Sequence, residues 1–226
     1  MQQQTELPHD LWDVLSDRLT PERKEKMLRV ASQRTNHIRL VIQDVHQPHN
    51  VSACLRTAEA FGILNVHVVE MDNKYKPSSV ARGVAGWLNV HRHPDVKSCA
   101  SSLKEQGFII AAGMPAQESV VPLGDMPVDK PIALLFGNEH SGVSPDWQSW
   151  VDTYFTIPMS GIVESLNISV SAAICMHTLA EKARSSMPAE SYFIDPQAQK
   201  QLLGQWLSRQ ITSWSGEYRH HKENGK

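Results

Sequence analysis

The sequence predicts an α/β protein with a mostly parallel sheet flanked by helices, and three observations lead there. Short apolar, β-branched runs alternate with helical patterns along most of the chain. The run PIALLF, Pro131 to Phe136, is continuously apolar ahead of Gly137, as in a strand covered on both faces. Two helical patterns that each precede a strand close on a glycine, Gly62 and Gly107.

The elements follow in order. Thr20-Pro21-Glu22 starts a helix, with Thr as cap and Pro at the first helical position. That helix runs to about Arg34, with Met27, Val30 and Ala31 on one side. Residues 37–45 read as a strand, a helix spans about Asn50 to Phe61, and residues 66–69 form a second strand. Residues 78–87, rich in Ala, Gly and Ser, receive no assignment. A helix over 96–106 precedes a strand at 108–112, and residues 131–136 and 154–157 are further strands. From about Asn167 to Arg184 a helix buries Ile168, Ala172, Cys175 and Leu179. A tail helix from about Gln197 to Trp214 carries Leu202, Leu203, Trp206 and Leu207, which need a surface to pack on. The resulting division is a basic N-terminal helical extension (1–36), a central domain (37–186) and a C-terminal helical extension (187–226).

Charge is distributed unevenly. The chain of 226 residues has 22 basic and 24 acidic residues, a net charge of −2. Between Arg18 and Arg39 seven Lys/Arg face two Glu, an excess of five, so the remainder sums to −7. A basic element on an acidic body points either to a polyanion partner or to a solvated helix face. Cys54, Cys99 and Cys175 stand singly, without CxxC spacing, which implies neither a disulfide framework nor a zinc knuckle and fits a reducing cytoplasm. The start, MQQQTELPHD, has no secretory pattern, and no run approaches the ~18 apolar residues of a membrane span. A soluble cytoplasmic protein is expected.

Ligands of open α/β sheets bind at the carboxyl ends of strands, where residues 112–115, 137–142 and 158–167 fall. Gly137 and Gly142 let backbone approach a ligand, and Pro158 and Gly161 shape a bend. Neither GxGxxG after the first strand nor GxxxxGK[ST] occurs, so dinucleotide and P-loop sites are excluded. A neutral or zwitterionic small molecule suits these loops, with apolar contacts from Ile157, Met159 and Leu166. The segment IPMSGIVESLNISVS (157–171) places Ser165 and Asn167 at a helix start, where each is either a cap or a site residue.

Three segments in this order resemble the SpoU family of SPOUT-class RNA ribose 2′-O-methyltransferases. The first motif is matched by Asn50, Arg56 and Thr57 in HNVSACLRTAEAFG. Gly137, Glu139 and Gly142 in LLFGNEHSG match the second, and Ile157, Pro158, Ser165, Leu166 and Asn167 match the third. The segments LTPERKEKM and DVHQPHN bring the chain nearest to the TrmH-type branch, the tRNA guanosine 2′-O-methyltransferases. The resemblance implies a deep trefoil knot, an exception to the rule of un-knotted connections. It also implies a homodimer through the knotted region. S-adenosylmethionine is the implied methyl donor, contacted at Ala112, Gly137, Ile157 and Leu166.

The same resemblance implies catalytic roles for Arg56, Asn50, Glu139, Ser165 and Asn167. Guanidinium is essentially always protonated, so phosphate binding and stabilisation of a developing alkoxide suit Arg56 better than base catalysis. Asn50 either holds Arg56 or caps a helix; Glu139 either fixes its loop or pairs with Arg56. The implied substrate is tRNA, with guanosine 18 of the D-loop as target, and Arg23, Lys24, Lys26 and Arg34 are the expected phosphate contacts. The alternatives are ribosomal RNA, another tRNA position, or a catalytically silent RNA-binding homologue. Among eleven histidines, no HExxH and no Cys/His quartet occurs. His91 and His93, two apart on a strand, point to one face but lack a nameable third ligand, so no metal is expected.

Overall fold

In the computed structural model, residues 7–71, 74, 83–117 and 119–224 are described; residues 78–82 of the unassigned segment lie outside them. Their strands are β1 (Ile38–Gln43), β2 (Asn65–Val69), β3 (Asn89–His93), β4 (Ile109–Gly113), β5 (Val121–Pro122), β6 (Ile132–Phe136) and β7 (Thr153–Thr156). They form one sheet in the order β3-β2-β1-β6-β4-β7-β5, with every pairing parallel. β1, β2 and β6 are buried along their whole length, which is why β6 reads as an unbroken apolar run.

The helices are α1 (Leu11–Leu15), α2 (Pro21–Ala31), α3 (Pro48–Ala60), α4 (Val96–Glu105), α5 (Ile168–Ser186), α6 (Ala189–Tyr192), α7 (Pro196–Gln210) and α8 (Trp214–Asn224). Gly62 and Gly107 stand after α3 and α4 at φ 77° and 79°, the left-handed conformation that lets each helix turn into its strand. α4 is capped by Asp95, whose carboxylate accepts from the Ser98 N–H at 2.7 Å. Beneath it Cys99, Ala100 and Leu103 pack with Val41, Val69, Ile110, Ala112 and Leu135. α3 and α5 pack against each other, and α5 also meets β6.

Contacts divide the chain into two compact units, Thr35–Tyr192 and, together, Met1–Arg34 with Phe193–Lys226. The two extensions expected as separate pieces are therefore one unit. Tyr192 belongs to the sheet unit because its carbonyl accepts from Thr35 Oγ1 at 2.5 Å and its ring lies 5.7 Å from the Arg184 guanidinium. In the other unit, α1 and α2 supply the surface that Leu202, Leu203, Trp206 and Leu207 require.

In the terminal extensions two boundaries differ from expectation. α2 ends at Ala31 rather than near Arg34, and the expected tail helix is two helices separated by residues 211–213. Among the described residues no helix is long and apolar enough to cross a membrane, and all three cysteines are buried and free.

Candidate active site

The carboxyl ends of β4, β6 and β7 open into a cavity of about 490 Å³. Gly113 and Met114 line it after β4, Gly137 to Glu139 after β6, and Ile157 after β7. Ser165, Leu166 and Asn167 complete the wall where the chain enters α5.

The loop after β6 is shaped by close backbone approach. A Cβ on Gly137 would stand 1.9 Å from the Gly142 carbonyl oxygen, so only glycine fits there. Gly142, at φ 69°, exchanges backbone hydrogen bonds with Asn138 at 3.0 and 3.1 Å. Asn138 Oδ1 accepts from the N–H groups of His140 (2.9 Å) and Ser141 (2.7 Å), and Gln43 Oε1 accepts from Ser144 N at 3.0 Å. Asn138 and Gln43 escaped the sequence reading; the NEHSG turn held the only signal, since Asn side chains favour bonds to backbone two residues on.

α3 starts two residues earlier than expected, with Pro48 in its first turn, which carries Asn50 into the helix at 3% exposure. Asn50 Nδ2 donates to Glu139 Oε1 at 2.7 Å, and its Oδ1 accepts from Asn167 Nδ2 at 3.2 Å. An ionised carboxylate only accepts, which fixes the orientation of the Asn50 amide, and through it that of Asn167. Asn167 Oδ1 is then left to cap α5, accepting from Ser169 N (2.8 Å) and Ser169 Oγ (2.6 Å). His46 N–H donates to Glu139 Oε2 at 3.4 Å. Burial pushes the Glu139 carboxyl up, but donors from Asn50, its own backbone and His46 outweigh it and the net shift is downward.

One side chain thus joins all three sequence motifs beside the cavity. The profile of the SpoU rRNA methylase family matches residues 37–177. A "tRNA (guanosine(18)-2'-O)-methyltransferase" of Borreliella burgdorferi is 35% identical over 76% of this chain and 79% of its own. The Thermus thermophilus protein of the same name is 33% identical over 84% of this chain and 98% of its own. Among solved structures, the A. aeolicus "TrmH/SpoU tRNA modifying enzyme" superposes with a TM-score of 0.74 at 25% identity, covering 84% of this chain and 97% of that one. The chain belongs to the SpoU methylase family.

Of the expected SpoU cofactor contacts, Gly137, Ile157 and Leu166 line the cavity. Ala112 does not: it is buried in the core under α4, and the next residue, Gly113, reaches the wall because successive strand residues face opposite sides. Arg56 sits on the exposed side of α3, away from the cavity wall, with no hydrogen-bond or ion-pair partner among the described residues. Asn50 therefore neither caps α3 nor holds Arg56, and Glu139 does not pair with Arg56.

The expected phosphate contacts also separate. Lys26 is exposed, Lys24 pairs with Asp17 at 2.6 Å and Arg23 donates to Gln210 at 2.9 Å. Arg34 leaves the set, being 1% exposed with its guanidinium 5.3 Å from the Trp206 ring. At that burial its charge serves the packing of its own unit and is out of reach of a phosphate.

Proposed function

We propose that this SpoU-family chain methylates the ribose 2′-hydroxyl of guanosine 18 in tRNA, using S-adenosylmethionine. The observation that carries the reading is the junction at Asn50, which ties the loops after β6 and before α5 to the start of α3. The cavity fits the donor: it is large enough, glycine at 137 and 113 admits close backbone approach, and Ile157 and Leu166 offer apolar contact. S-adenosylmethionine supplies an activated methyl on a sulfonium. Around it Gly137, Ile157 and Leu166 hold the donor in one pose, since methyl transfer needs close, collinear approach. Asn50 and Glu139 are positioning residues that fix Asn167 and the loops. Arg56, exposed on α3, binds an RNA phosphate, and the 2′-hydroxyl proton leaves to solvent as the O–C bond forms. Its exposed, unpaired guanidinium suits a group waiting for an anion.

The cofactor segment is read as the trefoil knot of the family resemblance. β6 lies between β1 and β4, and β7 between β4 and β5, so both late strands are inserted among earlier ones. A homodimer forms through this region; Ile162, Val163 and Val170, all exposed beside the cavity loop, supply its apolar face. Lys26 leads the RNA contacts of the N-terminal helix, Arg23 and Lys24 joining it on the same element. The names of the relatives support tRNA over ribosomal RNA.

The test incubates the purified chain with methyl-labelled S-adenosylmethionine and tRNA or ribosomal RNA transcripts. Label is expected in tRNA alone, lost when guanosine 18 is replaced by adenosine. Arg56→Ala is expected to lower the rate by about 100-fold or more at unchanged donor binding. Label in ribosomal RNA only, or in tRNA regardless of guanosine 18 and Arg56, overturns the assignment.

A further inference from the structure

The sheet edge farthest from β7 carries a second concentration of chemistry-bearing side chains. Parallel pairing sets His67 of β2 beside His91 of β3, and Val69 beside His93. The His67 ring stacks 4.7 Å from that of His91 and 5.2 Å from that of His93. Across from them α4 presents Cys99, fully buried. One ligand atom each from His67, His93 and Cys99 lie within 4.8 Å of one another.

From this geometry we propose that His67, His93 and Cys99 form a zinc site that pins the edge strand β3 to α4. The proposal is independent of the methyl-transfer reading.

Two features support it. First, His67 Nδ1 and His93 Nε2 are 2.9 Å apart, so one nitrogen donates and the other accepts, and the pair shares a single proton. Two imidazole nitrogens on one tetrahedral zinc, at about 2.0–2.1 Å each, stand about 3.3 Å apart, a separation these rings reach by parting less than ~0.5 Å. A thiolate and an imidazole on the same ion stand about 3.6 Å apart, so Cys99 has at most about 1 Å to close. Second, His67, 1% exposed, has a buried Nε2 with no hydrogen-bond partner among the described atoms. Such an orphan costs roughly 1–3 kcal/mol. An ion bound through His67 Nδ1 and His93 Nε2 takes the place of the shared proton, in a cluster whose hydrogen bonding is otherwise incomplete.

Zinc is the ion of choice because two imidazoles and one thiolate are its borderline-soft donor set. The Cys99 thiol loses its proton to solvent as the Zn–S bond forms, so charge and atoms balance without a co-reactant. The partly exposed side of His93 leaves the fourth position to water. The site is structural: nothing in the cavity between β4, β6 and β7 depends on it.

The test uses the full chain, stripped with a chelator, then loaded with zinc, with Co²⁺ as a spectroscopic reporter. One equivalent of zinc per chain is expected to survive gel filtration and to raise the thermal midpoint. The Co²⁺ form is expected to show a thiolate-to-cobalt charge-transfer band, lost in Cys99→Ala and kept in Cys54→Ala and Cys175→Ala. His93→Ala is expected to weaken zinc binding by about 10–100-fold or more while far-ultraviolet circular dichroism stays unchanged. The wild-type cobalt spectrum decides the matter even where a variant misfolds. No retained zinc, no thiolate band, or binding that survives both variants but vanishes when His220 and His221 are replaced overturns the proposal.

Discussion

At the junction of Asn50, Glu139 and Asn167 the side chains are hydrogen-bonded one to the next, and each residue comes from a different sequence motif. Under α4, the His67–His91–His93 group lies on adjacent strands and leaves His67 Nε2 buried without a partner. Both clusters are polar and sit in the same sheet unit. The first is a continuous chain of hydrogen bonds beside a cavity. The second is incomplete as a hydrogen-bond network and offers two imidazole nitrogens and a thiol to an added ion. A closed network fixes geometry for another molecule; an open one is itself a place for a ligand.

The comparison is broken most sharply at Gly137. Gly137→Ala sets a methyl 1.9 Å from the Gly142 carbonyl oxygen, a clash with backbone that no rotamer relieves. Donor binding is expected to fall by about 100-fold or more in isothermal titration, with circular dichroism unchanged. Binding within about threefold of wild type would show that the close approach does not shape the cavity. Asn50→Ala strands Glu139 and Asn167 together, and is expected to cost about 1–3 kcal/mol in denaturant unfolding and about 10–100-fold in methyl transfer. An activity unchanged at that loss of stability would detach the junction from the site.

The third test concerns acid. Glu139 titrates below the ordinary carboxyl range, so its ionised contacts are present at neutral pH and are lost only as pH falls through the depressed value. Removing the Asn50 donor returns the carboxyl upward, so in Asn50→Ala the acid limb of donor binding is expected at higher pH than in wild type. Coincident limbs would refute that coupling. The smallest effect on activity is expected from Asn65→Ala, on the histidine side. Asn65 Nδ2 donates to Asn36 Oδ1 at 2.9 Å, and its Oδ1 takes His91 Nε2 at 2.8 Å. The substitution is expected to cost about 1–3 kcal/mol of stability with methyl transfer within about twofold of wild type. A larger loss of rate would join the two clusters into one network.

The two regions were unequally legible in the sequence. Thr20-Pro21, Gly62, Gly107 and the run before Gly137 announce elements through local backbone preferences, and those elements stand where the patterns put them. The cavity loops were readable for the same reason, because glycine and proline carry their meaning within a few residues. Ala112, taken from the family resemblance, packs in the core, and its neighbour Gly113 lines the cavity because strand residues alternate in facing. Arg34 looked like a free cation because helix periodicity does not reveal Trp206, 172 residues onward in sequence. His67 could not be joined to His93 and Cys99 without the register of β2 on β3, a non-local quantity. What sequence withheld was in each case a partner brought by tertiary structure.

The division of the chain has a consequence for biosynthesis. The sheet unit is one continuous stretch, so all of Thr35–Tyr192 is synthesised before α7 and α8. The other unit draws its parts from both ends: Asp10 meets Lys222 at 2.6 Å and Tyr218 at 2.7 Å, and Arg18 meets Glu217 at 2.9 Å. Translation at about 5–20 residues per second makes α1 and α2 wait roughly 10–40 s for those partners. During that interval Leu11, Trp12 and Leu15, later buried, are without their final cover.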